Sequence, residues 1–374
     1  MGRTGQGACR SVGVAALAVL AGLSGCEGGK GEDSGPEVCV PAAASEARLD
    51  DRAGYRVADV PVDAPWLEEV EGEARAVPLG IWYATDAAEG EHPYYLGVFE
   101  DTGSWVDAPF ADRACGAKMP LIVYSHGSQG WGGNGSSLVR HLVAQGWVAA
   151  APDHLKNTLL DNEEPRRVSF SLTRMADVIA AIDAVEALPE GDPLHGRVDT
   201  SKVLVMGHSF GGQTAWLLSG PALDQAELAA RCEAEPGCTE AEYAAFADPP
   251  LDPRIAAVVP LDGFAGEDVV APEGWGEASL PIFYMSQGGE GSDYAFDTAA
   301  AAAPTWAAFE GACHETFTDT PLPCDFDKEE GHDLIAAYLT AFAEVQIRGS
   351  GEARWGELLS GAVSLDPRVT IHTY

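Results

Sequence analysis

The sequence has 374 residues, 46% of them hydrophobic and 8% aromatic, which is enough to bury a sizeable core in one large domain or two ordinary ones. Its 58 acidic and 22 basic side chains give a formal charge of −36. That balance repels phosphate backbones and disfavours nucleic acid as a partner, while saying nothing about fold.

In chain order, the first element is a targeting segment over residues 1–25. Arg3 and Arg10 precede an apolar stretch from Val12 to Leu23 that is too short to span a bilayer. It ends in Leu23-Ser24-Gly25-Cys26, which resembles a bacterial lipobox. By that resemblance the signal is cut before Cys26, whose sulfur carries a diacylglyceryl group, and the mature protein is exported and held on a bacterial membrane, periplasmic or at the cell surface. Cleavage there removes two arginines and no acid, leaving 20 basic and 58 acidic groups and a charge of −38. Residues 26–36, with Glu27 to Pro36 reading EGGKGEDSGP, form a flexible tether. Residues 37–374 are read as a single domain. Outside the signal and Cys26 there are six cysteines, an even number that suggests disulfides in an exported chain. Sequence order favours Cys232–Cys238 and Cys313–Cys324, leaving Cys39–Cys115, and none has metal-site spacing.

A strand is expected near Tyr55 to Val60 and another at Ala76 to Tyr83 (AVPLGIWY). Glu89 to Lys118, rich in Gly, Pro, Asp and aromatics, reads as a long surface loop. Leu121 to Tyr124 is a continuous apolar run of the buried parallel-strand kind. A helix follows from about Ser136 to Gln145, then a strand at Val148 to Ala151. Leu172, Val178, Ile179, Ile182 and Val185 fall at helical spacing in a longer amphipathic helix, about Ser169 to Leu188. Val203 to Met206 is a short apolar strand, and a helix runs from Gly212 through Leu218. Residues of about 219–253 interrupt the pattern with an alanine- and acid-rich insert, read either as a cap over the substrate or as a surface excursion. Ile255 to Leu261 and Pro281 to Met285 are further strands, Pro304 to Glu310 leads to His314, and a helix of about Asp333 to Arg348 closes the domain. Residues 350–374 carry no readable pattern. The alternation predicts an α/β fold: a doubly wound, mostly parallel sheet with helices on both faces and sites at the C-terminal strand ends.

Between the Val203 strand and the next helix stands Gly207-His208-Ser209-Phe210-Gly211, a GxSxG pattern. Serine is a poor nucleophile unless it is held exposed with its hydroxyl aimed at a base, and a tight strand-to-helix corner provides that exposure. The order Ser209, Asp262, His314 supplies nucleophile, orienting acid and base, each after a strand. Asp293 is the alternative acid and His332 the competing base. His332 opens the last helix and reads as a surface or helix-start residue. His208 and His154 read as packing or local hydrogen-bonding groups in turns. The backbone N–H of Phe210 is the expected first oxyanion donor.

Several segments together resemble the α/β-hydrolase superfamily, and within it the platelet-activating-factor acetylhydrolase and dienelactone-hydrolase-like group. They are AVPLGIWYA, YSHG at Tyr124 to Gly127, APDH at Ala151 to His154, GHSFGG, PLDGF at Pro260 to Phe264 and GACHETFTD at Gly311 to Asp319. The resemblance covers about residues 75–345. It implies the α/β-hydrolase fold, Asp262 as acid, His314 as base, and the N–H of Ser128 as second oxyanion donor. True dienelactone hydrolases use cysteine as nucleophile, where this chain has Ser209. No cofactor or metal is implied, since HExxH, GxGxxG and P-loop patterns are absent from the sequence and the Asp325, Asp327, Glu329, Glu330 run lacks the glycine of a calcium loop.

The expected activity is hydrolysis of small-molecule or polymeric carboxylic esters, neutral and fairly small, through an acyl-enzyme. Two other readings stand beside it: a lipid-anchored binding protein without chemistry, and a serine peptidase of the same fold. Oligomeric state is not legible in the sequence.

Overall fold

The continuous apolar runs become the buried strands of one sheet. The structure, a computed structural model, describes residues 44, 51–64, 66, 74–162, 167–234, 238–288 and 293–374. The signal segment, Cys26, the tether and Cys39 lie outside the described residues, so the lipid site and the Cys39–Cys115 pairing do as well.

The strands are β1 (Ala53–Pro61), β2 (Ala76–Ala84), β3 (Tyr94–Tyr95), β4 (Phe99–Glu100), β5 (Ser104–Val106), β6 (Met119–Ser125), β7 (Val148–Pro152), β8 (Val198–His208), β9 (Ile255–Leu261), β10 (Phe283–Gly288), β11 (Thr305–Glu310) and β12 (Val369–Thr373). The α-helices are α1 (Ser136–Ala144), α2 (Arg167–Glu186), α3 (Phe210–Leu218), α4 (Gln225–Ala234), α5 (Glu240–Ala247), α6 (Tyr294–Thr298), α7 (Lys328–Gln346) and α8 (Ala353–Leu359). Ten of the described strands form one sheet in the order β12-β11-β10-β9-β8-β6-β7-β2-β1-β5. From β11 to β7 neighbours are parallel. β12 and β2 join antiparallel at either side.

The pleat sends alternate side chains to opposite faces, and each face is covered by helices. Leu121, Val123, Val203 and Val205 pack under α2 and α3, whereas Ile122, Tyr124, Leu204 and Met206 pack under α1 and α7. A fully buried aliphatic residue such as Leu121 (0% exposed) stabilises the fold by roughly 1.5–3 kcal/mol. This is the α/β-hydrolase architecture, with Ser209 and Asp262 directly after the C-terminal ends of β8 and β9 and His314 in the loop after β11.

Three expectations need correction. Glu89 to Lys118 is more than a surface loop: β3 and β4 pair as a small hairpin and β5 pairs with β1 at the sheet edge. The reason is burial of its aromatic residues, with Tyr95 and Trp105 inside and the Tyr95 hydroxyl donating to Asp101 at 2.7 Å. His332 is buried inside α7, not a surface or helix-start residue, because Asp327 caps that helix earlier than expected by accepting from the Glu330 N–H at 3.0 Å. Residues 350–374, which carried no pattern, supply α8 and the edge strand β12.

The insert folds as α4 and α5. Cys232–Cys238 and Cys313–Cys324 are disulfides, bonds that persist in oxidising compartments. Among the described residues no helix is long and apolar enough to cross a membrane.

Candidate active site

β8 is buried from Val203 to His208, and α3 begins at Phe210, leaving Ser209 alone at the corner. Its backbone is left-handed, with φ 56° and ψ −117°, a conformation that costs a non-glycine residue about 1–3 kcal/mol. The corner is tied down on both sides: the Ser209 N–H donates to Leu261 O at 2.9 Å and its carbonyl accepts from the Gln213 N–H at 3.0 Å. Glycine is required around it. A Cβ on Gly211 would lie 1.8 Å from Ser125 O, and one on Gly263 would lie 1.9 Å from Ser209 O.

Asp262 follows β9 in another left-handed position, φ 44°. Its carboxylate accepts from His314 Nδ1 at 2.6 Å, from the Gln287 N–H at 3.1 Å and from Gln287 Nε2 at 3.2 Å. The hydrogen bond to Asp262 raises the His314 pKa above its ordinary value, against the opposing pull of burial. With Nδ1 donating, Nε2 is the ring atom left to take a proton. His208, the residue before Ser209, donates from Nε2 to His314 O at 3.0 Å, and the two rings stand 4.4 Å apart. Burial, then the neighbouring His314, hold the His208 imidazole down at about 3, so it serves as a neutral strap between β8 and the His314 loop.

That loop is fixed at its far side too. Asp319 accepts from the Ser137 N–H at 3.0 Å and the Ser137 hydroxyl at 2.5 Å, at the N-terminus of α1. Cys313–Cys324 closes it covalently. The competing residues have other partners. Asp293 caps α6, accepting from the N–H groups of Ala295 and Phe296 at 2.8 and 3.1 Å. His332 Nδ1 lies 3.0 Å from Ser137 Oγ.

β6 delivers Ser125, His126, Gly127 and Ser128 to the same edge. A Cβ on Gly127 would come within 3.2 Å of Ser209 Cβ, so this turn lies against Ser209. Ser128 Oγ accepts from Asn157 Nδ2 at 3.2 Å. The other expected oxyanion donor, the Phe210 N–H, belongs to the first residue of α3.

Beneath the turn is a polar network the sequence reading missed. Ser125 Oγ lies 2.8 Å from His154 Nε2, His154 Nδ1 lies 2.9 Å from Asp177 Oδ2, and Arg75 donates to both Asp177 oxygens at 2.8 and 2.9 Å. The atom pattern repeats that of a hydrolase triad, but Ser125, His154 and Asp177 are 0–1% exposed, so the group is structural. Arg174, also wholly buried, bonds the carbonyls of His126 and Gly127 and the side chain of Asn157. One signal was available: Arg174 and Asp177 stand one turn from Val178 and Ala181, on the apolar face of α2, where an unexplained charge marks a buried partner.

A cavity of about 200 Å³ sits beside α3, lined by Phe210, Gln213, Ser171 and Val269, with Arg231 of the insert paired to Asp268 at its rim. Trp131 is buried and stacked on Phe99 at 4.2 Å, between two clefts of about 370 Å³ each. Among the described residues no cluster of three or more His, Cys, Asp or Glu is arranged to hold a metal ion.

A β8–Ser209–α3 corner at the C-terminal edge of a doubly wound sheet defines the chain as having the α/β-hydrolase fold. No family model matches it, and no curated protein sequence does. Among solved structures it is similar to a ferulic acid esterase from Streptomyces cinnamoneus, with a TM-score of 0.58 and 18% identity over 89% of this chain and 98% of that one. The similarity is one of fold.

Proposed function

We propose that the protein is a serine hydrolase that cleaves carboxylic esters through an acyl-enzyme. The observation that carries this reading is the 2.6 Å hydrogen bond from His314 Nδ1 to Asp262, strapped through His208 to the Ser209 corner. Ser209 Oγ attacks the ester carbonyl carbon while His314 Nε2 takes its proton. Asp262 holds the ring in the required tautomer and stabilises the imidazolium, without itself accepting the proton. The oxyanion meets the N–H groups of Ser128 and Phe210, each such donor contributing on the order of 3 kcal/mol in the transition state. His314 then protonates the departing alcohol, and water, activated by the same imidazole, releases the acid.

The name of the structural neighbour, an esterase, supports the reaction class. The cavity of about 200 Å³ beside Phe210 suits a fairly small acyl or alkyl group. Arg231, the one arginine among its described lining residues, is paired with Asp268, so a neutral substrate is favoured over an anionic one. The Cys26 signal would place this activity on the outer side of a membrane, within reach of small or polymeric esters.

Ser209→Ala should fold like the parent, hydrolyse no short-chain nitrophenyl ester above background, and take no label from a fluorophosphonate probe. Retained turnover would remove Ser209 from the mechanism, and an unlabelled parent would point to a binding module on this fold.

A further inference from the structure

The Gly127 carbonyl is unusually well held. It accepts from His126 Nδ1 at 2.7 Å, from the Gly130 N–H at 3.0 Å and from Arg174 Nη2 at 3.1 Å. His126 can donate from Nδ1 because its Nε2 accepts the His154 N–H at 3.0 Å, which fixes the tautomer. Arg174 also donates from Nη1 to His126 O at 2.5 Å. Asn157 Oδ1 accepts from Arg174 Nε and Nη2 at 3.2 and 2.7 Å, locking the guanidinium plane, while Asn157 Nδ2 reaches Ser128 Oγ. The guanidinium carbon stands 4.5 Å over the ring of Phe210. One buried cation therefore touches both residues assigned to the oxyanion hole or their immediate supports.

The geometry has a consequence for the Ser128 N–H. The Gly127 C=O and the Ser128 N–H belong to one planar peptide, in which a trans arrangement points them in opposite directions. Whatever grips the oxygen aims the N–H. That N–H donates to no described residue. Donors clustered on the carbonyl oxygen also polarise the peptide, leaving its N–H more positive, and the effect is strengthened where water is excluded.

We propose that Arg174 is a positioning residue for the oxyanion hole: by holding the His126 and Gly127 carbonyls it turns the Ser128 N–H toward the developing oxyanion and strengthens it as a donor. The inference rests on the esterase reading, since it needs an oxyanion to stabilise. It separates Arg174 from the Arg75–Asp177–His154–Ser125 chain, which buttresses the same turn but touches neither of the two carbonyls through a side chain.

The test compares the parent with Arg174→Met and Arg174→Lys on a neutral short-chain nitrophenyl ester, with active sites counted by fluorophosphonate titration. In Arg174→Met kcat should fall roughly tenfold to a hundredfold while KM stays within about twofold, because the lost contact matters to the transition state and not to the ground state. A trifluoromethyl ketone, which forms a tetrahedral adduct on serine, should bind more weakly by the same factor as kcat/KM. The carbonyl stretch of a trapped acyl-enzyme should move to higher frequency as the hydrogen bond to it weakens. Lysine keeps the charge but cannot span both carbonyls and Asn157, so Arg174→Lys should recover only part of the loss. A merely structural role would lower the count of active sites and leave the stretch and the ketone affinity per site unchanged, and that result would overturn the proposal. If Arg174→Met does not fold, parent-like kcat in folded Arg174→Lys overturns it equally. Absence of ester turnover in the parent would sink the esterase reading and this inference together, whereas parent turnover with unaltered Arg174 variants sinks the inference alone.

Discussion

On the esterase proposal, the bond between His314 and Asp262 sets the pH range in which the site works. Asp262 stabilises the charged imidazole, so the His314 pKa lies above its ordinary 6.5. A base must be neutral, so kcat/KM should rise with pH along a limb whose midpoint lies above that value. In Asp262→Asn the carboxylate no longer favours the imidazolium, so the midpoint should move down while kcat falls by about 10⁴. An unmoved midpoint in a stopped-flow pH profile would assign the titration to another group. Stability runs the other way. A histidine with a raised folded-state pKa contributes stability fully below its unfolded value and loses it as pH rises through the folded value, so the contact stabilises the fold least where the base is most active. Ser209, Asp262 and His314 could be proposed as a set from the sequence because chain order and local pattern depend only on sequence. Arg174, Asn157 and Gln287 could not, since each acts on a residue from a distant segment and no local pattern links them.

Elements, rather than single residues, hold His314 in place. The loop after β11 is docked on the N-terminus of α1, where Asp319 accepts two hydrogen bonds from Ser137 and the Thr318 hydroxyl donates to Asn134 O at 2.7 Å. Backbone N–H groups at a helix start lack helical acceptors, so a carboxylate there both caps the helix and anchors the loop. Asp319→Ala should lower unfolding free energy by about 1–2 kcal/mol in urea titrations with the slope unchanged, and should reduce ester turnover more than fluorophosphonate-site number. Full turnover at reduced stability would show that the cap serves α1 alone. Long apolar runs such as Leu121–Tyr124 were readable as strands. β3, β4 and β5 were not, because strands of two or three residues offer too short a stretch for an alternation pattern, and only pairing with distant partners defines them. The start of α7 was missed for a related reason: its first turn, Lys328-Glu329-Glu330, carries charge and no apolar periodicity.

At the scale of the whole molecule, charge governs which substrates approach. A formal charge of −36, or −38 without residues 1–25, makes the field around the molecule as a whole negative. Arg231 at the cavity rim is already paired with Asp268 and so does not offset this field. Turnover of a neutral ester should therefore be nearly indifferent to salt, while that of a dicarboxylate half-ester should be poor at low ionic strength and improve as salt screens the repulsion. A preference for the half-ester at low salt would mean that local cations outweigh the global field. The left-handed corner at Ser209 carries a different implication for anyone breeding better variants of this protein. Glycine at 209 would relieve the backbone there and yield a hardier but inert molecule, because the conformation that exposes the hydroxyl is also the one a side chain resists. A screen that rewards yield or heat tolerance alone thus selects against catalysis, and only a screen that scores turnover in every round keeps the serine.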